Sequence, residues 1–272
     1  YQYVLDFSRK EVVEYIYEMM AKILSEAKVS YIKWDMNRSI TECYSVALPA
    51  DRQGEVFHRY ILGVYDLYER LTSEFPEVLF ESCSSGGGRF DPGMLYYAPQ
   101  GWTSDDSDAI ERLKIQYGTS LCYPISSMGS HVSVIPNHQV FRKTPLHTRA
   151  NVAYFGTFGY ELDLNSLKEE EIAEVKEQII FMKKYRKLFQ FGDFYRLKSP
   201  FEGNETIWMV VSEDKKTAIV GYYRTLNGVN QAYSRIKLQG LDPDMLYENI
   251  LNKTENYGDE LMNFGLITTD VT

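Results

Sequence analysis

The sequence predicts an α/β chain: an incomplete (β/α)8 barrel of about six β/α units over residues 1–190, then a small antiparallel β-sandwich over residues 191–272. Three observations carry this expectation. Strand-like and helix-like segments alternate through the first two-thirds of the chain, which calls for parallel strands with helical crossovers. Polar and charged residues cluster just after the strands, the end of such a barrel where active sites form. From about residue 191 the helical spacing stops, and short alternating runs are punctuated by Gly, Asn and Asp, as in hairpins.

Taken in order, residues 3–7 read as a short strand, and Ser8 with Glu11 reads as a capping box opening a helix. Val12, Val13, Ile16, Met19, Met20, Ile23 and Leu24 then repeat at helical spacing. Residues 29–36 form the next strand, 55–72 a helix, and 78–81 a strand entering Ser82-Cys83-Ser84-Ser85-Gly86-Gly87-Gly88. A short strand at 101–104 leads through an acidic turn to a helix at about 108–117. Strands are expected at 121–126 and 152–158, with a helix at 144–150 between them. Ser166 and Glu169 suggest a second capping box, opening a helix through Ile172, Val175, Ile179 and Met182. In the last region, 207–211 and 217–222 read as a hairpin, and 234–238 alternates polar and apolar. Six units do not close an eight-stranded barrel, so the chain is expected to start inside the barrel, and its last domain to be truncated.

Composition bounds the function. The 272 residues carry a net charge of −9, which disfavours nucleic acid and anionic membrane as partners. No run of 18 apolar residues is present, so no membrane span is expected. Three scattered cysteines do not make a disulfide framework, and the four histidines lack metal-ligand spacing. No metal or cofactor is expected. The acidic, cysteine-poor chain suggests the cytoplasm. Twenty-two Tyr, 14 Phe and 3 Trp supply core and, in part, faces on which a sugar ring could stack.

Two segments carry candidate chemistry. In Lys33-Trp34-Asp35-Met36-Asn37-Arg38 an apolar strand ends in polar residues. Alternation sends Lys33, Asp35 and Asn37 to one side, and a cation beside Asp35 favours its ionised form. Trp102-Thr103-Ser104-Asp105-Asp106-Ser107-Asp108 crowds three aspartates, whose repulsion raises at least one pKa. Helix capping by Asp105 or Ser107 is the plainer reading of that cluster. Asp35 and Asp105 lie 70 positions apart (105 − 35). Two carboxylates at one barrel mouth, one ionised and one protonated, are what a glycosidase needs. The run Gly86-Gly87-Gly88-Arg89 lacks the P-loop pattern but permits close backbone approach.

Together these segments resemble glycoside hydrolase family 36, the microbial α-galactosidases. The likeness rests on Lys33 to Asn37, on Glu81-Ser82-Cys83 with Gly86 to Arg89, and on Trp102 to Leu113. Gly129-Ser130-His131-Val132-Ser133, Pro136-Asn137-His138 and Phe158-Gly159-Tyr160-Glu161-Leu162-Asp163 also fit. The resemblance implies a retaining α-galactosidase acting on terminal α-D-galactosides such as melibiose and raffinose. It implies Asp35 as nucleophile and Asp105 as general acid/base, with Asp108 in reserve for the acid. Lys33, Asn37, Cys83 and Trp102 match positions that contact the galactosyl ring, and Trp34 and Gly86 belong to the same substrate-binding set. The family implies a small oligosaccharide partner and, in relatives, a homotetramer. Other readings stay open: an inactive carbohydrate-binding fragment, an α-N-acetylgalactosaminidase or a galactosyl transferase.

Overall fold

The computed structural model describes residues 3–230 and 234–268, and packing divides them into two units that part between Asp105 and Asp106.

In the first unit, helix α1 (Lys10–Glu26) precedes strand β1 (Tyr31–Asp35). A 3-10 turn at Ala50–Glu55 then leads into α2 (Val56–Glu74), β2 (Leu79–Cys83), α3 (Pro92–Tyr97) and β3 (Gln100–Gly101). The three strands form a parallel sheet in the order β1-β2-β3, with Asp35 opposite Cys83 and Ser82 opposite Gly101. The core explains the sequence pattern. Tyr60, Val64, Leu67, Tyr68 and Leu71 make one buried stripe on α2, at the spacing that places residues on one helix face. That stripe packs with Val13 of α1, Phe80 of β2 and Met94 of α3. Along β1, Ile32 and Trp34 are half-buried toward this core, while Tyr31, Lys33 and Asp35 are exposed.

The predicted strand at 3–7 is absent. The Asp6 carboxylate accepts the Ser8 N–H at 3.1 Å and the Ser8 hydroxyl at 2.5 Å, so an Asx turn replaces extended chain. The predicted capping box is absent for the same reason: Ser8 is engaged by Asp6, and Arg9 takes the Glu11 carboxylate.

The second unit begins with α4 (Ala109–Ser120), β4 (Gly129–Ser133), α5 (Leu146–Ala153), β5 (Thr157–Glu161) and α6 (Glu169–Phe191). Strands β4 and β5 pair in parallel. There follow β6 (Asp193–Lys198), β7 (Glu205–Val211), β8 (Ala218–Arg224), β9 (Ser234–Ile236), β10 (Leu246–Asn249), β11 (Thr254–Tyr257), α7 (Gly258–Asn263) and β12 (Leu266–Thr268). Strands β6-β7-β8 form an antiparallel sheet, and β9 pairs with β12 and β10 with β11. The hairpin predicted at 207–211 and 217–222 is the β7–β8 pair. Strand β7 is buried along its whole length. Ile207, Met209 and Val211 meet Ile236, Leu238, Leu241 and Leu261, while Trp208 contacts Phe155 and Phe194 at centroid distances of 5.4 and 6.2 Å.

Three expectations shift here. Residues 121–126 are turn leading to a 3-10 helix at Ile125–Ser127, and the strand lies later, at Gly129–Ser133. Residues 152–153 finish α5, so the next strand starts at Thr157. The second capping box moves two residues on: the Glu171 carboxylate accepts the Lys168 N–H at 3.0 Å, while Ser166 bonds the Asp163 carbonyl.

Candidate active site

Three strand ends build the site in the first unit. Register puts Lys33, Glu81 and Gln100 in one row and Asp35 beside Cys83 in the next, with Trp102 following β3. Parallel strands lie about 4.8 Å apart, so the row spans about 10 Å from β1 to β3. The Lys33 ammonium sits 5.3 Å from the Trp102 ring centroid, a cation–π contact, and Trp102 is buried. Among the described residues Lys33 makes no ion pair with Asp35. The two side chains stand a full pleat apart on β1, and the ammonium is drawn to the indole instead. The buried Cys83 thiol is pushed up to about 11, by burial first and then by its hydrogen bond to the Asp35 carboxylate. It therefore stays a neutral donor. Trp34 points the other way: its ring lies 4.9 Å from Tyr68 and 6.4 Å from Phe80. It supports the sheet from the helix side and does not join the polar row.

The glycine loop joins the two aspartate segments. On the β1 side, the Asn37 Oδ1 accepts the Ser85 N–H at 3.1 Å. Ser85 has φ 47° and Gly86 φ 82°, a left-handed pair that turns the loop sharply. On the β3 side, a Cβ on Gly86 would lie 2.7 Å from Ser104 Cα and 3.0 Å from the Asp105 nitrogen. One on Gly87 would lie 2.8 Å from the Thr103 carbonyl oxygen. Glycine at both positions lets the loop rest directly on the backbone that carries Asp105, whose side chain is exposed. The structure thus gathers Lys33, Asp35, Cys83 and Trp102 on one face and ties Asn37, Gly86 and Asp105 to them through this loop. A cleft of about 780 Å³ runs along β1, lined by Lys33, Trp34, Asp35 and Asn37 together with Tyr60 and Tyr68.

In the second unit the remaining aspartates do other work. Asp108, not Asp105 or Ser107, is the N-cap of α4: its carboxylate accepts the Ile110 and Glu111 N–H groups at 3.0 and 3.1 Å. It also pairs with Arg142, and is 2% exposed. Its carboxylate is thus buried and committed to these partners. Asp106 accepts the Asp108 N–H at 3.0 Å. Ser107 is held by Ser133, whose hydroxyl donates to its carbonyl, and by Asn137, whose amide donates to its hydroxyl. Sequence reasoning missed Arg142; a lone basic residue in a loop gives no signal without the fold. Among the described residues no group of three or more His, Cys, Asp or Glu side chains could hold a metal ion.

The chain matches the Melibiase family model over residues 1–192 and the model of the glycosyl hydrolase family 36 C-terminal domain over residues 205–271. It is 56% identical over 265 residues to alpha-galactosidase AgaA of Geobacillus stearothermophilus, covering 97% of this chain and 36% of that one. It is 52% identical over 264 residues to alpha-galactosidase Mel36A of Lactobacillus acidophilus, again covering 97% and 36%. The crystal structure of AgaA superposes with a TM-score of 0.95 at 55% identity, over 98% of this chain and 37% of that one. An AgaA variant crystallised with raffinose and another with stachyose each carry a substituted aspartate, at positions 70 apart (548 − 478). The chain spans about a third of the length of the curated relatives it matches.

Proposed function

The chain belongs to the Melibiase family, and we propose that the protein carrying it is a retaining α-galactosidase acting on terminal non-reducing α-D-galactosides of the melibiose and raffinose type. The observation that carries this reading is the joining of Asp35 and Asp105 by one glycine loop, at the spacing of the two aspartates substituted in the AgaA complexes with raffinose and stachyose. Asp35 attacks the anomeric carbon while Asp105 protonates the leaving oxygen; Asp105 then deprotonates the water that releases galactose. Cys83, as a neutral thiol, hydrogen-bonds the nucleophile or a ring hydroxyl. Lys33 and Asn37 offer donors to sugar hydroxyls, and the Trp102 indole presents an aromatic edge to the ring.

The finer architecture belongs to the same proposal: residues 1–190 as part of a (β/α)8 catalytic barrel and 191–272 as the C-terminal β-sandwich, in a homo-oligomeric cytoplasmic enzyme. Activity is assigned to the full-length protein. In that protein, Asp35→Ala is expected to lower kcat on an aryl α-galactoside more than about a thousandfold, as loss of a nucleophile does. Cleavage at the wild-type rate would remove the assignment.

A further inference from the structure

Met36 directly follows Asp35, and each of its polar groups is tied. Its N–H donates to the Cys83 carbonyl at 3.0 Å, its carbonyl accepts the Ser84 hydroxyl at 2.9 Å, and its sulfur accepts the Tyr60 hydroxyl at 3.3 Å. The Cys83 carbonyl is a shared acceptor. Arg89, from the far end of the glycine loop, donates to it from Nη2 at 2.9 Å. Arg89 makes no ion pair with a carboxylate among the described residues, and its Nε is buried without a hydrogen-bond partner. Arg89 shares the lining of the cleft along β1 with Tyr60 and Tyr68. Arg89 is half-buried, so its charge is partly withdrawn from water without a counter-charge, while a carbonyl needs only a neutral donor. A long, planar, rigid donor is suited to reaching back beneath five residues of loop and holding one carbonyl in place.

We propose that Arg89 is a positioning residue for Asp35: its guanidinium, through the shared Cys83 carbonyl and the Met36 peptide, fixes the end of β1 and so the direction in which the nucleophilic carboxylate meets the sugar. This rests on the assignment of Asp35 made above. Of the residues assigned to the sugar, Arg89 touches only the backbone of Cys83, so a displaced nucleophile is expected to affect the chemical step more than sugar binding.

The test uses the full-length protein with Arg89→Ala, Arg89→Lys and, in parallel, Asp35→Ala. Arg89→Ala is expected to lower kcat about a hundredfold, the penalty for a misplacement of about 1 Å, with KM changed less than about threefold and the melting midpoint lowered by no more than about 5 °C. Millimolar guanidinium should restore part of the lost kcat in Arg89→Ala and leave wild type unchanged. Arg89→Lys, which keeps one donor, should show an intermediate kcat with KM intact; it carries the test if the alanine variant does not fold. A wild-type kcat in either variant, or a loss that guanidinium does not rescue and that follows melting, overturns the inference. Should Asp35→Ala prove active, the nucleophile assignment itself is lost; should Asp35→Ala be dead while Arg89→Ala is at wild-type rate, only the role of Arg89 is lost.

Discussion

Replacing Gly86 by Ala tests whether the glycine loop sets the position of the acid. Two costs follow from the structure. At φ 82° an L side chain is disfavoured by about 1–2 kcal/mol. The new Cβ would also lie 2.7 Å from Ser104 Cα, where ordinary contact starts near 3.4 Å, so one backbone must yield by 0.7 Å (3.4 − 2.7). Ser104 immediately precedes Asp105, and a shift of about 1 Å in a reacting group costs about a hundredfold, so the loss should fall between about tenfold and a hundredfold. The acid matters only when the leaving group needs a proton. Kinetics of the full-length Gly86→Ala protein should therefore show a large fall in kcat/KM with raffinose or a methyl α-galactoside, and little with a dinitrophenyl α-galactoside. An equal loss across leaving groups would mean that Gly86 serves sugar binding instead, and no loss would mean that the loop and the Asp105 backbone are uncoupled.

The other expectations concern carboxylates outside the reaction. Asp108→Ala removes an N-cap and one partner of Arg142, which is 38% exposed and keeps Glu111, a loss of about 1–2 kcal/mol. Its melting midpoint in a thermal scan should fall by about 5 °C, whereas Asp105→Ala should melt like wild type while losing activity on substrates with poor leaving groups. Equal midpoints for the two variants would contradict the separation of cap from acid. Glu205 is buried, which pushes its carboxyl up, but hydrogen bonds from Lys198, Tyr222 and Arg224 outweigh this and bring it from 4.5 to about 2. A depressed native pKa means that the unfolded chain takes the proton first as pH falls. Its stabilisation is thus complete above about pH 5 and disappears toward about pH 2. Urea titrations across that range should show a flatter acid limb for Glu205→Gln than for wild type; identical limbs would refute the assignment.

The fold was legible where burial imposes a period and obscure where small residues make the contact. The stripe on α2 and the apolar β7 announce themselves because each must bury a face. Strand β4 did not, because Gly129-Ser130 carries no strand preference. It forms because Gly156 admits close packing: a Cβ there would stand 2.6 Å from Ser130 Cβ. The segment at 121–126 misled for the opposite reason. Leu121, Cys122 and Tyr123 look like a strand start, yet Leu121 is 61% exposed, and the Tyr123 N–H is taken by the Thr119 carbonyl in a continuation of α4. Ser8 and Ser166 each had a Glu at capping distance, but nearer partners, Asp6 and the Asp163 carbonyl, satisfied them first.

At the site, alternation along β1 correctly separated Lys33 and Asp35 from the core, and the same rule assigns Trp34 to the other face. Its inclusion among sugar-binding residues came from the resemblance, not from the pleat. The aspartate cluster was ambiguous in sequence because a cap and an acid draw on the same residue type. Geometry separates them by what each carboxylate touches. Asp108 is saturated by two backbone N–H groups and a guanidinium, and Asp106 turns to the Asp108 N–H. Asp105 is exposed, on a backbone pressed against two glycines. The acid proposed above is thus the aspartate of the three with room around it, while the other two carboxylates are spent on backbone N–H groups and a guanidinium.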